Sequence, residues 1–131
     1  MTTIKRMDPK QAHEALMRSQ AALFIDVRDP VEAKFVGNPI GARNIPWKFA
    51  PEMRLNPDFL KEVQSLAGLD TPIFLLCRSG QRSLQAAEFL KAKGFTHLVN
   101  IEEGFEGDLN QNRQRGTLGG WRYHRLPWEQ T

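Results

Sequence analysis

Cysteine is the first scarcity in these 131 residues: Cys77 stands alone, so no disulfide can form within the chain. A structural zinc site built from this chain's thiolates is equally excluded. The three histidines, His13, His97 and His124, are scattered without metal-ligand spacing, and no metal is expected. Long apolar runs are missing too: nothing approaches the roughly 20 residues that span a bilayer. Residues Met1 to Met7 lack the hydrophobic centre of a signal peptide. A soluble, cytoplasmic protein without a membrane partner is expected. Charge of one sign is not concentrated: the net charge is only +3 and no dense Lys/Arg run occurs. A nucleic-acid partner is therefore not expected, and the mild basicity suits a small anion or an acidic surface. Repeats and low-complexity tracts are absent as well.

What remains is an ordinary globular balance, 40% hydrophobic and 25% charged, in a chain of single-domain length. Asp8, Pro9 and Gln11 read as a capping box opening a helix whose inner face carries Ala12, Ala15 and Leu16. Ala21 to Val27 is a short apolar run of the kind that forms a strand buried on both faces. Arg28 to Pro46 is a turn-rich connection with room for a short helix from Pro30 to Phe35 and a brief strand at Asn44-Ile45; Lys48 to Arg54 reads as loop. Asn56-Pro57 starts another helix, with Phe59, Leu60, Val63, Leu66 and Ala67 inward and Gly68 at its end. Pro72 to Cys77 is the clearest buried strand, followed by a polar loop, a helix from about Arg82 to Lys93, and a strand from His97 to Ile101. Strands alternating with helices imply an α/β fold with a parallel sheet covered on both faces. Residues Glu103 to Gly120 show no periodicity, and Trp121 to Trp128 reads as an aromatic tail folded back on the domain. The expectation is one domain over 1–131, with a core from about 4 to 107 and a polar insertion plus tail from 108 to 131.

The segment Cys77-Arg78-Ser79-Gly80-Gln81-Arg82-Ser83 carries the chemistry. A lone cysteine ending an apolar strand is commonly a small buried hydrophobe, but the residues behind this one have no place in such a role. Ligands of open α/β sheets bind at the carboxyl ends of strands, where Cys77 falls. A tight turn into a helix aims successive N–H groups at one cavity and adds the positive end of the helix dipole. Arg78 and Arg82 flank the turn with guanidinium groups suited to oxyanions. Ser79 and Ser83 supply hydroxyl donors, Gln81 lies in the same turn, and Gly80 permits its tight path. Each of these stabilises negative charge on sulfur, so Cys77 is expected to act as a thiolate nucleophile.

This segment resembles the active-site loop of single-domain rhodaneses, the thiosulfate sulfurtransferases. Asp26-Val27-Arg28 followed by Glu32 resembles that family's first signature, and Gly41-Ala42-Arg43-Asn44-Ile45-Pro46 its Gly-Ala-x-Asn-Ile-Pro segment. The resemblance covers roughly Leu23 to Ile101. It implies a rhodanese-like sheet of about five strands flanked by helices, and no cofactor. It implies that Cys77 takes a sulfane sulfur from thiosulfate or a persulfide and hands it to a thiol or protein acceptor, with Arg78 and Arg82 holding the donor's sulfonate end. Two departures stand out. Gly37-Asn38-Pro39-Ile40 replaces the family's Gly-His-Ile, and Gly119-Gly120-Trp121 comes late, after a polar insertion.

Other groups admit a functional or a structural role. Asp26, Arg28 and Glu32 read as charges bracing a turn rather than as an acid–base set. Trp47 is the best aromatic for a pocket wall, although core packing is the ordinary role. Arg113, Arg115, Arg122 and Arg125 form a loose basic cluster that could steer anions or simply be solvated. Two further functions compete. One is a cysteine-dependent phosphatase or arsenate-reductase-like enzyme; the other is a rhodanese-type module that only binds. Against the first, four residues separate Cys77 from Arg82, where the phosphatases have five. Against the second stands the cysteine itself with its full loop.

Overall fold

The structure, a computed structural model, describes residues 3–130. Its centre is a five-stranded sheet made of β1 (Lys5–Met7), β2 (Leu23–Asp26), β4 (Arg43–Asn44), β7 (Ile73–Leu76) and β8 (Leu98–Ile101). The order is β1-β8-β7-β2-β4, and every pairing is parallel, with Asp26 beside Leu76 and Leu75 beside Asn100. All carboxyl ends therefore share one edge, and Cys77 follows β7 there. Between the strands lie helices α1 (Pro9–Arg18), α2 (Pro30–Val36), α3 (Phe59–Gln64) and α4 (Gln81–Ala92).

Side chains alternate along each strand, so the sheet buries two separate apolar layers. Ile25, Ile73, Leu75 and Leu98 face α3 and α4, meeting Phe59, Val63, Ala86, Ala87 and Leu90; Cys77 belongs to this layer. Phe24, Phe74, Leu76, Val99 and Ile101 face the other way, toward Ala12 of α1 and toward Phe105 and Trp121. The expected capping box of α1 is present: the Asp8 carboxylate accepts from Gln11 N, and the Gln11 side chain accepts from Asp8 N.

One reading is corrected: the stretch read as loop holds a small antiparallel pair, β5 (Lys48–Phe49) with β6 (Arg54–Leu55). Trp47 takes the ordinary role of core packing, buried against Phe59 and Phe89, ring centroids 5.1 and 5.2 Å away. Within the segment from Glu103 to Gly120, which lacks any repeating pattern, Phe105 is fully buried, and the aromatic tail folds back on the domain. Trp121 is 1% exposed, and β9 (Trp128–Glu129) pairs with β3 (Asn38–Pro39). Aperiodic segments of this kind are held by backbone contacts to distant chain, which no local pattern records. Among the described residues, no helix is long and apolar enough to cross a membrane.

Candidate active site

Cys77 leaves β7 into a turn of three residues, and α4 begins at Gln81. Gly80 caps the helix at φ 107°, a left-handed conformation that a side chain resists. That turn brings the Gly80 N–H to 3.1 Å from the Cys77 sulfur. Ser83, one turn into α4 and fully buried, donates its hydroxyl to the same sulfur at 3.3 Å. The sulfur thus receives two donors and sits against the N-terminus of a 12-residue helix, an arrangement that favours negative charge on it.

The carbonyls of the turn are tied on its other flank. Phe105 N–H donates to Cys77 O at 2.7 Å, and Glu106 and Gly107 N–H donate to Arg78 O at 2.9 and 3.2 Å. Asn100 donates its side-chain N–H to Gly80 O at 3.2 Å and also meets the Glu102 carboxylate. In a trans peptide the N–H points opposite to the C=O of the same plane. Fixing the carbonyls of Cys77, Arg78 and Gly80 toward the 100–107 segment therefore turns the N–H groups of Arg78, Ser79 and Gln81 the opposite way. These three amides face away from the 100–107 segment.

The charged groups sort themselves differently from the sequence expectation. Asp26 and Arg28, both buried, form a bidentate pair at 2.9 and 2.6 Å. Arg28 also donates to Gly37 O at 2.8 Å and stacks on Phe105, its guanidinium carbon 4.5 Å from the ring centre. Glu32 takes no part in that brace. It reaches across from α2 to Arg82, and its two oxygens accept from both terminal nitrogens at 3.0 and 2.9 Å. Burial works to lower the Arg82 pKa, but the hydrogen-bonded charge of Glu32, helped by Cys77 and Asp26, raises it. Arg82 is thus a fixed cation near the sulfur whose fork is already filled. Arg78 is exposed, and its side chain has no partner among the described residues.

Ser79, Gly80 and Gln81 also edge a cavity of about 270 Å³, shared with Arg6, Leu84, Glu102, Glu103 and Asp108. Among the described residues no group of three or more His, Cys, Asp or Glu side chains is placed to hold a metal ion. Of the loose arginine cluster, Arg115 donates to Gly107 O at 2.8 Å and Arg122 to Val36 O at 3.3 Å, with Arg122 also stacked over Phe105 and Trp128. Both bind the tail to the domain.

A five-stranded parallel sheet with a cysteine at the head of an amide-lined turn fits the match of residues 8–111 to the model of the rhodanese-like domain. The chain belongs to the rhodanese-like domain family. Among its relatives is the thiosulfate sulfurtransferase GlpE of Stutzerimonas stutzeri, 34% identical over 106 residues, spanning 81% of this chain and 85% of the relative. An uncharacterised protein of Rickettsia prowazekii is 36% identical over 121 residues, spanning 91% and 92%. The crystal structure of Rv0390 from M. tuberculosis superposes with a TM-score of 0.89 at 34% identity, covering 100% of both chains.

Proposed function

We propose that this protein is a sulfurtransferase that carries a sulfane sulfur as a persulfide on Cys77. The observation behind the reading is the convergence of the Gly80 N–H and the Ser83 hydroxyl on one sulfur at 3.1 and 3.3 Å, beside further amides turned the same way. The kinship with named thiosulfate sulfurtransferases supports it.

In the proposed cycle the Cys77 thiolate attacks the outer sulfur of thiosulfate. A new S–S bond forms to Cys77, the S–S bond of thiosulfate breaks, and sulfite departs with its electron pair. The terminal sulfur, now carrying the negative charge, is held by the amides of the turn and the Ser83 hydroxyl. An acceptor nucleophile, a thiol or cyanide, then attacks that sulfur and the Cys77 thiolate leaves. Neither half needs a metal or redox cofactor. A low-molecular-weight or protein persulfide serves equally well as donor in this scheme, with the donor's thiolate leaving in place of sulfite.

The two arginines take separate roles in this reading. Arg82, filled by Glu32, supplies a fixed positive potential. Arg78, exposed and unengaged, is the guanidinium able to meet the sulfonate end of an arriving anion. The short gap from Cys77 to Arg82 leaves the amide ring closed around one atom beyond the sulfur, too tight for the three equatorial oxygens of phosphoryl transfer.

The test is the intact mass after incubation with thiosulfate. A gain of one sulfur atom is expected, removed by cyanide with release of thiocyanate and absent in Cys77→Ser. No gain, together with Cys77-dependent hydrolysis of p-nitrophenyl phosphate by the same preparation, would overturn the assignment.

A further inference from the structure

The turn of amides around Cys77 does not hold itself. Its carbonyls are fixed by the segment running from Ile101 to Gly107, and that segment is gripped in turn by the C-terminal tail. Glu103 lies at its apex with φ 71°, a backbone conformation uncommon for a side-chain-bearing residue. Its half-exposed carboxylate is engaged twice by one oxygen: the Gly120 N–H donates to Oε1 at 2.9 Å, and so does His124 Nε2, also at 2.9 Å. A carboxylate oxygen can only accept, so Nε2 carries the hydrogen. Around this contact the backbones interlock: Gly107 N–H donates to Glu103 O at 2.9 Å, Trp121 N–H to Gly104 O at 2.8 Å, Arg122 N–H to Phe105 O at 3.2 Å, and His124 N–H to Gly120 O at 3.1 Å. The path from the imidazole to the sulfur is therefore continuous: His124 to Glu103, Glu103 to the 103–107 turn, that turn to the carbonyls of Cys77 and Arg78, and those peptide planes to the amides facing the anion. The match to the family model ends at residue 111, before Gly120 and His124.

From this path we infer that Glu103 and His124 are positioning residues for the Cys77 loop: the tail sets the direction of the amides that hold the transferred sulfur. The inference rests on the sulfurtransferase reading. It makes the aperiodic tail part of the machinery, acting through backbone planes without touching the substrate. Donor capture depends on the exposed guanidinium of Arg78, which the clamp does not hold. Stabilisation of the charged outer sulfur depends on the amides, which it does.

Three variants of the full chain test it. His124→Leu removes the donor, His124→Gln keeps an N–H able to reach a carboxylate, and Glu103→Gly removes the carboxylate while suiting the left-handed backbone, so that folding is preserved. In thiosulfate:cyanide transfer, His124→Leu and Glu103→Gly are expected to lower kcat about fivefold, a loss of about 1 kcal/mol, because the clamp acts on the sulfur only through the intervening backbone. The KM for thiosulfate should stay within about twofold, and His124→Gln should recover most of kcat. Amide hydrogen exchange at Phe105, Glu106 and Gly107 is expected to quicken in the two disrupted variants and not in His124→Gln, while exchange in β2 is unchanged. A kcat within twofold of wild type in both disrupted variants would overturn the inference. So would a loss that Gln fails to rescue and that tracks a fall in Tm. If the wild-type protein transfers no sulfur, the sulfurtransferase reading falls, and the exchange arm alone decides the clamp: unchanged protection at 105–107 sinks it.

Discussion

Gly104→Ala is the perturbation that measures how tightly the Cys77 loop is bound to its support. At φ 63°, an alanine here first meets the cost of the left-handed region, about 1–2 kcal/mol. Its Cβ would then stand 2.4 Å from Cys77 O, 2.5 Å from Arg78 C and 2.6 Å from Arg78 O. All three are backbone atoms, so no side chain can swing aside to make room. The 103–107 segment must retreat, and the hydrogen bonds from Phe105 and Glu106 to Cys77 O and Arg78 O, at 2.7 and 2.9 Å, stretch or break. At about 1 kcal/mol each, their loss brings the total to roughly 3–4 kcal/mol, a large share of the 5–15 kcal/mol typical of a domain. Urea unfolding followed by tryptophan fluorescence should show the midpoint falling by about 2 M for a slope near 1–3 kcal/mol/M, and sulfur transfer should be lost in the folded fraction as well. Gly41→Ala is the control: φ is 94° there, but nothing lies within 4 Å of the added carbon, so only the backbone cost of about 1–2 kcal/mol is expected. If the two variants lose the same stability, the close packing of Gly104 against the Cys77 loop contributes nothing, and the reasoning fails.

Cys77→Ser should abolish sulfur loading with Tm nearly unchanged, since the hydroxyl nearly fits the thiol's space; persistent turnover, read as thiocyanate release, would remove Cys77 from the cycle. Asp26→Asn leaves Arg28 buried without a countercharge and should cost about 3–5 kcal/mol in chemical unfolding, whereas a cost below about 1 kcal/mol would mean the pair is idle. Arg78→Ala should raise the thiosulfate KM with little change in kcat, and the opposite pattern would transfer the donor-binding role to another group. Arg82→Gln should lower stability by about 1–2 kcal/mol, discounted for partial exposure of its pair with Glu32. Because the Arg82 pKa is raised, its contribution is complete below the unfolded pKa and fades only as pH climbs through the folded one. The wild-type-to-variant difference in urea should therefore be equal at pH 7 and pH 10.

The sequence carried the sheet because its strands are short apolar runs and its helices open on visible caps, both local signals. The Cys77 turn was legible for the same reason: both groups that donate to the sulfur, Gly80 N–H and the Ser83 hydroxyl, lie within seven consecutive positions. Legibility stopped where partners are far apart. Glu32 and Asp26 lie close together in the chain, yet one pairs with Arg82 and the other with Arg28, a division fixed only once the fold brings Glu32 within reach of Arg82. Glu103 and His124 gave still less warning. A positive φ on glutamate, and a histidine in a tail of mixed polarity, have no compositional mark, and their meeting depends on the chain reversing between Gly107 and Gly120.

Pairing Trp128–Glu129 with Asn38–Pro39 bears on the order in which the fold is completed during synthesis. Emerging from the ribosome, the chain can lay down β2, β7 and α4 early, since their contacts use residues already made. The segment that sets Trp121 against the sheet and Trp128 beside Pro39 is made later, and that last pairing closes a long loop, a slow step by entropy. A nascent chain bearing Cys77 thus lacks the full support of its turn until the segment through His124 has been made.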